Sequence, residues 1–555
     1  MGARITLSMD NDWSFHLGDI ALPPVQTHDE ICLSSKAGGS RGVPQRDFDT
    51  EDWEVVQLPH DWAVRQPFDK ELCASWGYKP RGKAWYRKCF VLPPEYEGRE
   101  VTIAFEGVAT YCTVYFNGSV LARNFNGYAP FTVDISDMAY YDGEVNVLAV
   151  LVDATVWEGW WYEGAGIYRH VWLQAKSRIH IGEYGVFVKP EKINENVWKV
   201  TIQTAIENQT ALDLPVEIVT RLFSPDGNRE IEVNPEEMMA DADDISIFEY
   251  EFEVERPQIW DIDSPKVYKV VTELYVQGKL VDEEETVCGF RTIAIDAGKG
   301  FFLNGRRIKL FGTCNHQDHG GIGVALPDSL HEYRIERLKE MGSNAYHCAH
   351  GMPHPKLLDA CDRLGMLVID ENRNFGTSPE ELQQLGTMVL RDRNHPSVIM
   401  YSLFHEEPLQ DTAVGGKLAA RMAAVVRELD DSRFLTGAMK GSVLYAQGAA
   451  QSVDVCGINY QLQEYDVFHK KYPKIPIIGS ETVSAFSVRG CYETNTEKNL
   501  ISGYDETPAK WGNTIRETWE AILKRDYVAG GFMWTGFDYS GHPFPYVWPS
   551  VSSFS

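Results

Sequence analysis

The chain has 555 residues, of which 44% are apolar, 24% charged and 12% aromatic. This composition is globular and excludes a disordered chain, a collagen-like fibre and a coiled coil, and the length implies several domains of roughly 100–200 residues each. With 52 basic against 80 acidic residues the formal charge is −28, a surface that repels phosphate backbones and anionic membranes, so a neutral small molecule is the expected partner and nucleic acid is not. The longest apolar run, around residues 145–152, falls far short of the roughly 18 residues of a membrane span. The opening Met1-Gly2-Ala3-Arg4-Ile5-Thr6 has no long apolar segment of the signal-peptide kind. A cytoplasmic location is expected, with the proviso that a mature secreted form would look the same. Ten cysteines without a CxxC pair read as reduced thiols, not a disulfide or zinc framework.

Residues 1–178 read as all-β. Short strands are expected at 101–105 and 113–116, then at 131–134 and 145–152, and Asn117-Gly118 supplies a type I′ hairpin turn. A jelly roll or related sandwich fits this spacing. Residues 179–294 are again β, with strands expected at 198–204, 215–222, 247–254 and 268–276; an immunoglobulin-like sandwich that acts as a spacer is the expectation. From residue 295 to 555 strands alternate with amphipathic helices, the first of which takes Asp328 as its N-cap. Eight strands at 308–312, 344–348, 366–370, 398–403, 434–437, 453–458, 475–479 and 530–534 specify a (β/α)₈ barrel.

Barrel sites lie at the C-terminal ends of the strands. Strand one delivers Asn315, His316, Asp318 and His319; strand two His347 and His350; strand three Asp370 and Glu371. Strand four delivers His405, Glu406 and Glu407; strand six Asn459 and Tyr460; strand seven Glu481; strand eight Trp534 and Asp538. Carboxylates at the tops of strands four and seven face each other across a barrel mouth. That pairing suits glycosidic bond cleavage, in which one carboxyl protonates the leaving oxygen and the other attacks the anomeric carbon. A retaining enzyme needs a separation of roughly 5–5.5 Å, and that spacing is expected here. Trp534 suits a sugar platform, because aromatic faces pack on the apolar faces of sugar rings. The run Trp157, Trp160, Trp161 and Tyr162 is either sandwich core or a reach over the barrel mouth.

Several motifs in order resemble glycoside hydrolase family 2, the β-galactosidase and β-glucuronidase type. Leu58-Pro59-His60-Asp61-Trp62, Trp85-Tyr86-Arg87-Lys88 and Gly164-Ala165-Gly166-Ile167-Tyr168-Arg169 are similar to its N-terminal, sugar-binding-like sandwich. Phe302-Leu303-Asn304-Gly305 and Gly312-Thr313-Cys314-Asn315-His316 are similar to its way into the barrel. Asp392-Arg393-Asn394-His395-Pro396-Ser397-Val398, running to Glu406, resembles the acid/base segment, and Pro476-Ile477-Ile478-Gly479-Ser480-Glu481-Thr482 the nucleophile segment. The resemblance implies Glu406 as general acid/base, Glu481 as nucleophile with Tyr460 donating a hydrogen bond to it, His316 and His350 as sugar or transition-state contacts, and no cofactor or metal. Large members of the family often self-associate, so a homo-oligomer is an expected form.

Three departures stand out. The family usually has Asn, a contact to the sugar 2-hydroxyl, where this chain has His405, and an Arg that supports the nucleophile where it has His347. An Asn at 405 is therefore expected to serve as well as the histidine. The family also continues past Trp548-Pro549-Ser550 into a last barrel helix, whereas this chain stops at Ser555, so a barrel truncated after strand eight is expected, with bare outer faces on strands eight and one. Family members that cleave β-glucuronides carry an Asn-x-Lys motif beyond strand eight; none follows Trp534. Exo-acting cleavage of terminal β-galactosides leads, with β-glucuronides, β-mannosides and α-L-arabinopyranosides as alternatives. Two other classes compete: a metal-dependent barrel hydrolase using His316, Asp318, His319, His347, His350 and His354, and a non-catalytic sugar-binding protein.

Overall fold

The computed structural model describes residues 4–234, 238–441 and 448–554. The first unit is a sandwich of two antiparallel sheets. One sheet runs Ile5–Ser8, Val171–Lys176, Glu100–Phe105, Phe131–Asp134; the other runs Glu54–Val56, Trp13–Leu17, Lys83–Phe90, Asn146–Asp153, Tyr111–Phe116, Ser119–Asn124. Successive side chains of a strand point to opposite faces, and Tyr111–Phe116 buries Cys112, Val114 and Phe116 while its other residues stay half-buried. Asn117 and Gly118 follow with φ of 44° and 77°, the two left-handed positions that a type I′ hairpin requires.

The second unit pairs Ile179–Lys192, Val197–Asn208 and Asp244–Glu255 against a sheet of Arg229–Val233, Leu214–Phe223, Tyr268–Val276 and Lys279–Cys288, with Met238–Ala240 on its edge. Every second residue of Val197–Asn208, from Trp198 onward, is buried. This sandwich docks on the barrel through Asn394, whose Nδ2 donates to Val186 O at 2.7 Å and whose Oδ1 accepts from Val188 N at 2.9 Å.

Eight parallel strands close the barrel: Leu310–Asn315, Ala345–Cys348, Leu367–Glu371, Val398–His405, Phe434–Met439, Cys456–Asn459, Ile477–Val483 and Val528–Trp534, strands one to eight below. Among the described residues six helices link them: Asp328–Met341, Pro355–Leu364, Pro379–Asp392, Ala413–Leu429, Glu464–Lys471 and Ile515–Leu523. Between strands five and six the expected helix is replaced, among the described residues, by the 3₁₀ turn Ala449–Ser452, whose Ala449 and Ala450 are buried beside Ala413–Leu429. Asp328 is the first residue of its helix and not the cap, which is Pro327; its carboxylate instead accepts from His170 Nε2 at 3.0 Å. The hairpin Gly300–Leu303/Arg306–Ile308 plugs the N-terminal end, where Phe301 and Leu303 are buried with Trp260, Leu310 and Ala529.

Among the described residues no helix follows strand eight, and Phe311 on the outer face of strand one is 37% exposed. Residues 538–554 instead fold back beside the 484–514 loop. Ser487 N donates to Phe554 O at 2.6 Å and Ser553 N to Tyr539 O at 3.0 Å, and Trp548 N reaches the hydroxyl of Tyr78 in the first sandwich at 3.0 Å. No helix among the described residues is long and apolar enough to cross a membrane.

Inside the barrel, strands one and eight approach across Gly312, where a Cβ would lie 2.2 Å from Cδ1 of Phe532. Gly312→Val should destabilise the protein by about 1–3 kcal/mol through this overpacking, read as a lower midpoint in urea unfolding.

Candidate active site

Glu371 closes strand three and is fully buried. Its Oε2 accepts from Ser402 Oγ at 2.9 Å and lies 2.8 Å from His347 Nε2; its Oε1 lies 3.0 Å from His350 Nδ1 and 3.4 Å from His405 Nδ1. Burial alone would raise its pKa, but His347 and His405 outweigh burial and hold the carboxyl well below the usual carboxylate range. Strands two, three and four are thus tied together at their C-terminal ends by one negative charge.

Glu481, on strand seven, stands beside this group. The Tyr460 hydroxyl donates to its Oε1, the Tyr460 backbone N–H donates to its carbonyl at 2.7 Å, and His405 Nε2 lies 3.4 Å from its Oε2. Burial pushes Glu481 up to about 7, and the neighbouring Glu406 adds to the rise, while His405 and Tyr460 oppose it. Glu406 is the first residue after strand four and takes a left-handed φ of 49°. Its Oε1 accepts from Asn459 Nδ2 at 2.9 Å, and Lys440 Nζ is 3.3 Å from its Oε2. The Glu406 side chain is 13% exposed against 6% for Glu481. Ligating atoms of His405, Glu406 and Glu481 all lie within 4.8 Å of one another, so the two carboxylates share one small space.

That space is a pocket of about 230 Å³, lined by Glu406, Glu481, His350, His405, Tyr460 and Trp534, and also by Trp160, Lys440, Trp511, Tyr539, His542 and Phe544. The Trp534 indole stacks on the His350 ring at 5.3 Å and 11°. Burial and the charge on His405 hold His350 neutral. The aromatic run divides. Trp161 and Tyr162 are buried, whereas Trp160 is 40% exposed and reaches over the mouth to within 6.0 Å of the His350 and His405 rings. Arg373 lies over both indoles, 5.4 Å from Trp160 and 5.1 Å from Trp161.

Three of the residues that the strand-end rule delivered to the site lie outside the pocket. His347 sits beneath the pocket, between Glu371 and the carbonyl of Ser480, which is 2.9 Å from its Nδ1. His316 packs under the wall, 4.2 Å from the Tyr539 ring and 5.3 Å from Trp161. Asp318 accepts from Ser540 N at 2.8 Å and is pushed up to about 6 by burial; it anchors the segment carrying Tyr539 and His542 and is not a pocket residue. The six residues of the metal reading also do not converge. Among the described residues His350 groups with Glu371 and His405, and His354 with His170 and Asp328.

Sequence reasoning passed over Lys440, Trp511, Tyr539, His542 and Phe544. Lys440 is the first residue past strand five, where the strand-end rule itself points, whereas the other four stand further along the loops after strands seven and eight than the first polar residue past each strand, so that rule extends to whole loops. Replacing Glu371 by Gln would leave the imidazoles around it without their counter-charge. Breaking a buried pair in this way should cost about 3–5 kcal/mol. Because the folded carboxyl is depressed, the stability it contributes is present above the unfolded value of about 4.3 and is lost as pH falls. Unfolding of Glu371→Gln against the parent should therefore show that loss at pH 7, and the gap should narrow only as pH falls well below about 4, towards the depressed folded value.

Family models match the chain in three blocks: "Glycosyl hydrolase 2 galactose-binding domain-like" over residues 60–181, "Glycosyl hydrolases family 2" over 179–291, and "Glycosyl hydrolases family 2, TIM barrel domain" over 293–381 and 373–547. The beta-galactosidase BoGH2A of Bacteroides ovatus is 32% identical over an alignment covering 98% of this chain and 69% of that protein. A putative beta-glucuronidase of Formosa agariphila is 28% identical, over 97% of this chain and 52% of that one. Among solved structures, a glycosyl hydrolase family 2 member from Bacteroides cellulosilyticus superposes with a TM-score of 0.83 at 30% identity, covering 97% of this chain and 65% of that one. This chain thus spans about half to seven-tenths of the length of these relatives. With the matched blocks in this order and a paired-carboxylate pocket at the barrel mouth, the chain belongs to glycoside hydrolase family 2.

Proposed function

We propose that this protein cleaves terminal β-linked sugars with retention of configuration, with Glu481 as nucleophile and Glu406 as general acid/base. The observation that carries the reading is the closeness of the two carboxylates, whose nearest atoms lie within 4.8 Å. Retaining glycosidases hold theirs about 5–5.5 Å apart, and inverting ones leave room for a water at roughly 6.5–9.5 Å. Glu481 is buried and held in one orientation by Tyr460, which suits attack on the anomeric carbon. Glu406 is more open to solvent, which suits a group that must give and then regain a proton. In the first step Glu481 forms a bond to the anomeric carbon while the bond to the leaving oxygen breaks and Glu406 protonates that oxygen. In the second, Glu406 takes a proton from water, which attacks the same carbon and releases Glu481.

The pocket favours a neutral sugar. Among the described residues lining it, Lys440 is the one lysine or arginine, and its ammonium is 3.3 Å from Glu406, so it is already engaged by a carboxylate. The stacked His350–Trp534 wall offers a flat apolar face to one side of a sugar ring. With the name carried by BoGH2A, these features support a terminal β-galactoside as substrate. Trp160 on one side and the segment from Tyr539 to Phe544 on the other enclose the site as a pocket, as an exo-acting enzyme needs.

Hydrolysis of an aryl β-galactoside should survive a chelator and be abolished in Glu481→Ala. Azide should rescue that variant as a glycosyl azide of inverted configuration. Glu406→Ala should retain turnover of substrates with good leaving groups, since acid assistance matters less there. The reverse pattern would exchange the two roles, and loss of activity with chelator would select the metal-dependent class. A panel of aryl glycosides checks the sugar.

A further inference from the structure

His405 is 2% exposed, and each of its ring nitrogens faces a carboxylate: Nδ1 is 3.4 Å from Glu371 Oε1 and Nε2 3.4 Å from Glu481 Oε2. A neutral imidazole carries one donor and one acceptor, whereas both nitrogens of the protonated ring are donors. Both contacts are at ion-pair distance: a neutral ring would leave one nitrogen lone pair 3.4 Å from a carboxylate oxygen, whereas the imidazolium carries a charge that both carboxylates attract. We propose that His405 is a positioning residue, an imidazolium fixed between Glu371 and Glu481 whose charge keeps the nucleophile ionised, and not a contact to the sugar 2-hydroxyl.

The groups around it agree. Strand three contributes Glu371, with Arg373 just past its end; strand two contributes His347 and His350; strand six contributes Tyr460 and strand seven Glu481. Glu406 and Glu407 follow on its own strand, Lys440 at the end of strand five lies across Glu406, and Trp160 of the first sandwich covers the ring. Burial lowers the pKa of His405, but the charges of Glu371, Glu481 and Glu406 outweigh burial and lift it to about 9. The neighbouring His350 ring, with its centroid 3.6 Å away, is kept neutral in part by that charge. His347 holds the far side of Glu371 and the Ser480 carbonyl, so two histidines brace the nucleophile from below and from the side. An asparagine amide offers no charge at this position. The expectation from sequence that Asn would serve as well at 405 is therefore reversed.

The assignment rests on Glu481 being the nucleophile, so two independent readouts are needed. The first is the pH profile of kcat/KM on an aryl β-galactoside for the parent, His405→Gln, His405→Asn and His405→Lys. A charge within about 4 Å shifts a carboxyl by roughly 1–3 pH units. The acidic limb should therefore move up by about one unit or more in the Gln and Asn variants, with at least about a tenfold loss below the parent's limb, and Lys should restore part of it. The second is unfolding as a function of pH, which needs no turnover. A histidine whose pKa is higher folded than unfolded contributes stability that is complete below about 6.5. That contribution is lost as pH rises through about 9. The stability gap between the parent and His405→Gln should be widest near pH 6 and close towards pH 9. An acidic limb that stays in place in both neutral variants, or a gap that does not change with pH, would overturn the assignment. If the parent turns over no glycoside, the proposed function falls while the unfolding series still decides the charge on His405.

Discussion

A carboxylate taken out of water must be met by hydrogen bonds and opposite charge, and the cost of leaving it unmet is several kcal/mol. Glu371 imposes that condition at the centre of the barrel. Its two oxygens draw in Ser402 and His405 from strand four and His347 and His350 from strand two. His347 then passes the connection on to the carbonyl of Ser480, next to Glu481 on strand seven. Four strands are thereby held at their C-terminal ends by one network of hydrogen bonds and ion pairs. The side chains that face the pocket, His350 and Glu481 among them, are placed by groups that do not.

The same network sets the difference between the two carboxylates of the pocket. Glu481 is buried and pushed up to about 7, with Tyr460 and His405 drawing it back towards the ionised form. Glu406 projects from a left-handed residue at the strand end into a more open setting, bonded to Asn459 and approached by Lys440. Asn459 is itself held by Ser480, whose hydroxyl donates to its Oδ1 at 2.7 Å. One backbone segment, Ser480-Glu481, therefore helps to position both carboxylates.

The barrel does not build the pocket alone. The loop of the first sandwich that carries Trp160 and Trp161 is clamped to the barrel by Arg373, which lies over both indoles and donates from Nε to the Glu158 carbonyl at 2.7 Å. On the other side, the segment after strand eight brings in Tyr539, His542 and Phe544, and Asp318 fixes it through Ser540. Residues from both ends of the chain thus frame a site whose chemistry lies in the middle of the barrel.

Much of this was legible in the sequence, because period-2 alternation, strand–helix alternation and strand-end position are local properties. They gave the sandwiches, the barrel, the two carboxylates on strands four and seven, and the companions His350, Tyr460 and Trp534. Patterns of that kind do not report which buried polar groups meet. His347 and His405 read as departures from a family pattern, and only the folded barrel brought both onto Glu371, a residue to which the strand-end pattern gave no role. Asp318 read as a contact by the same strand-end rule, yet the fold turned it onto a backbone N–H of a segment more than 200 residues away. Trp160, Trp511 and Phe544 lie on loops from three parts of the chain that no periodicity connects. Their convergence is set by how the first sandwich and the chain after strand eight pack on the barrel mouth, which tertiary contacts alone decide.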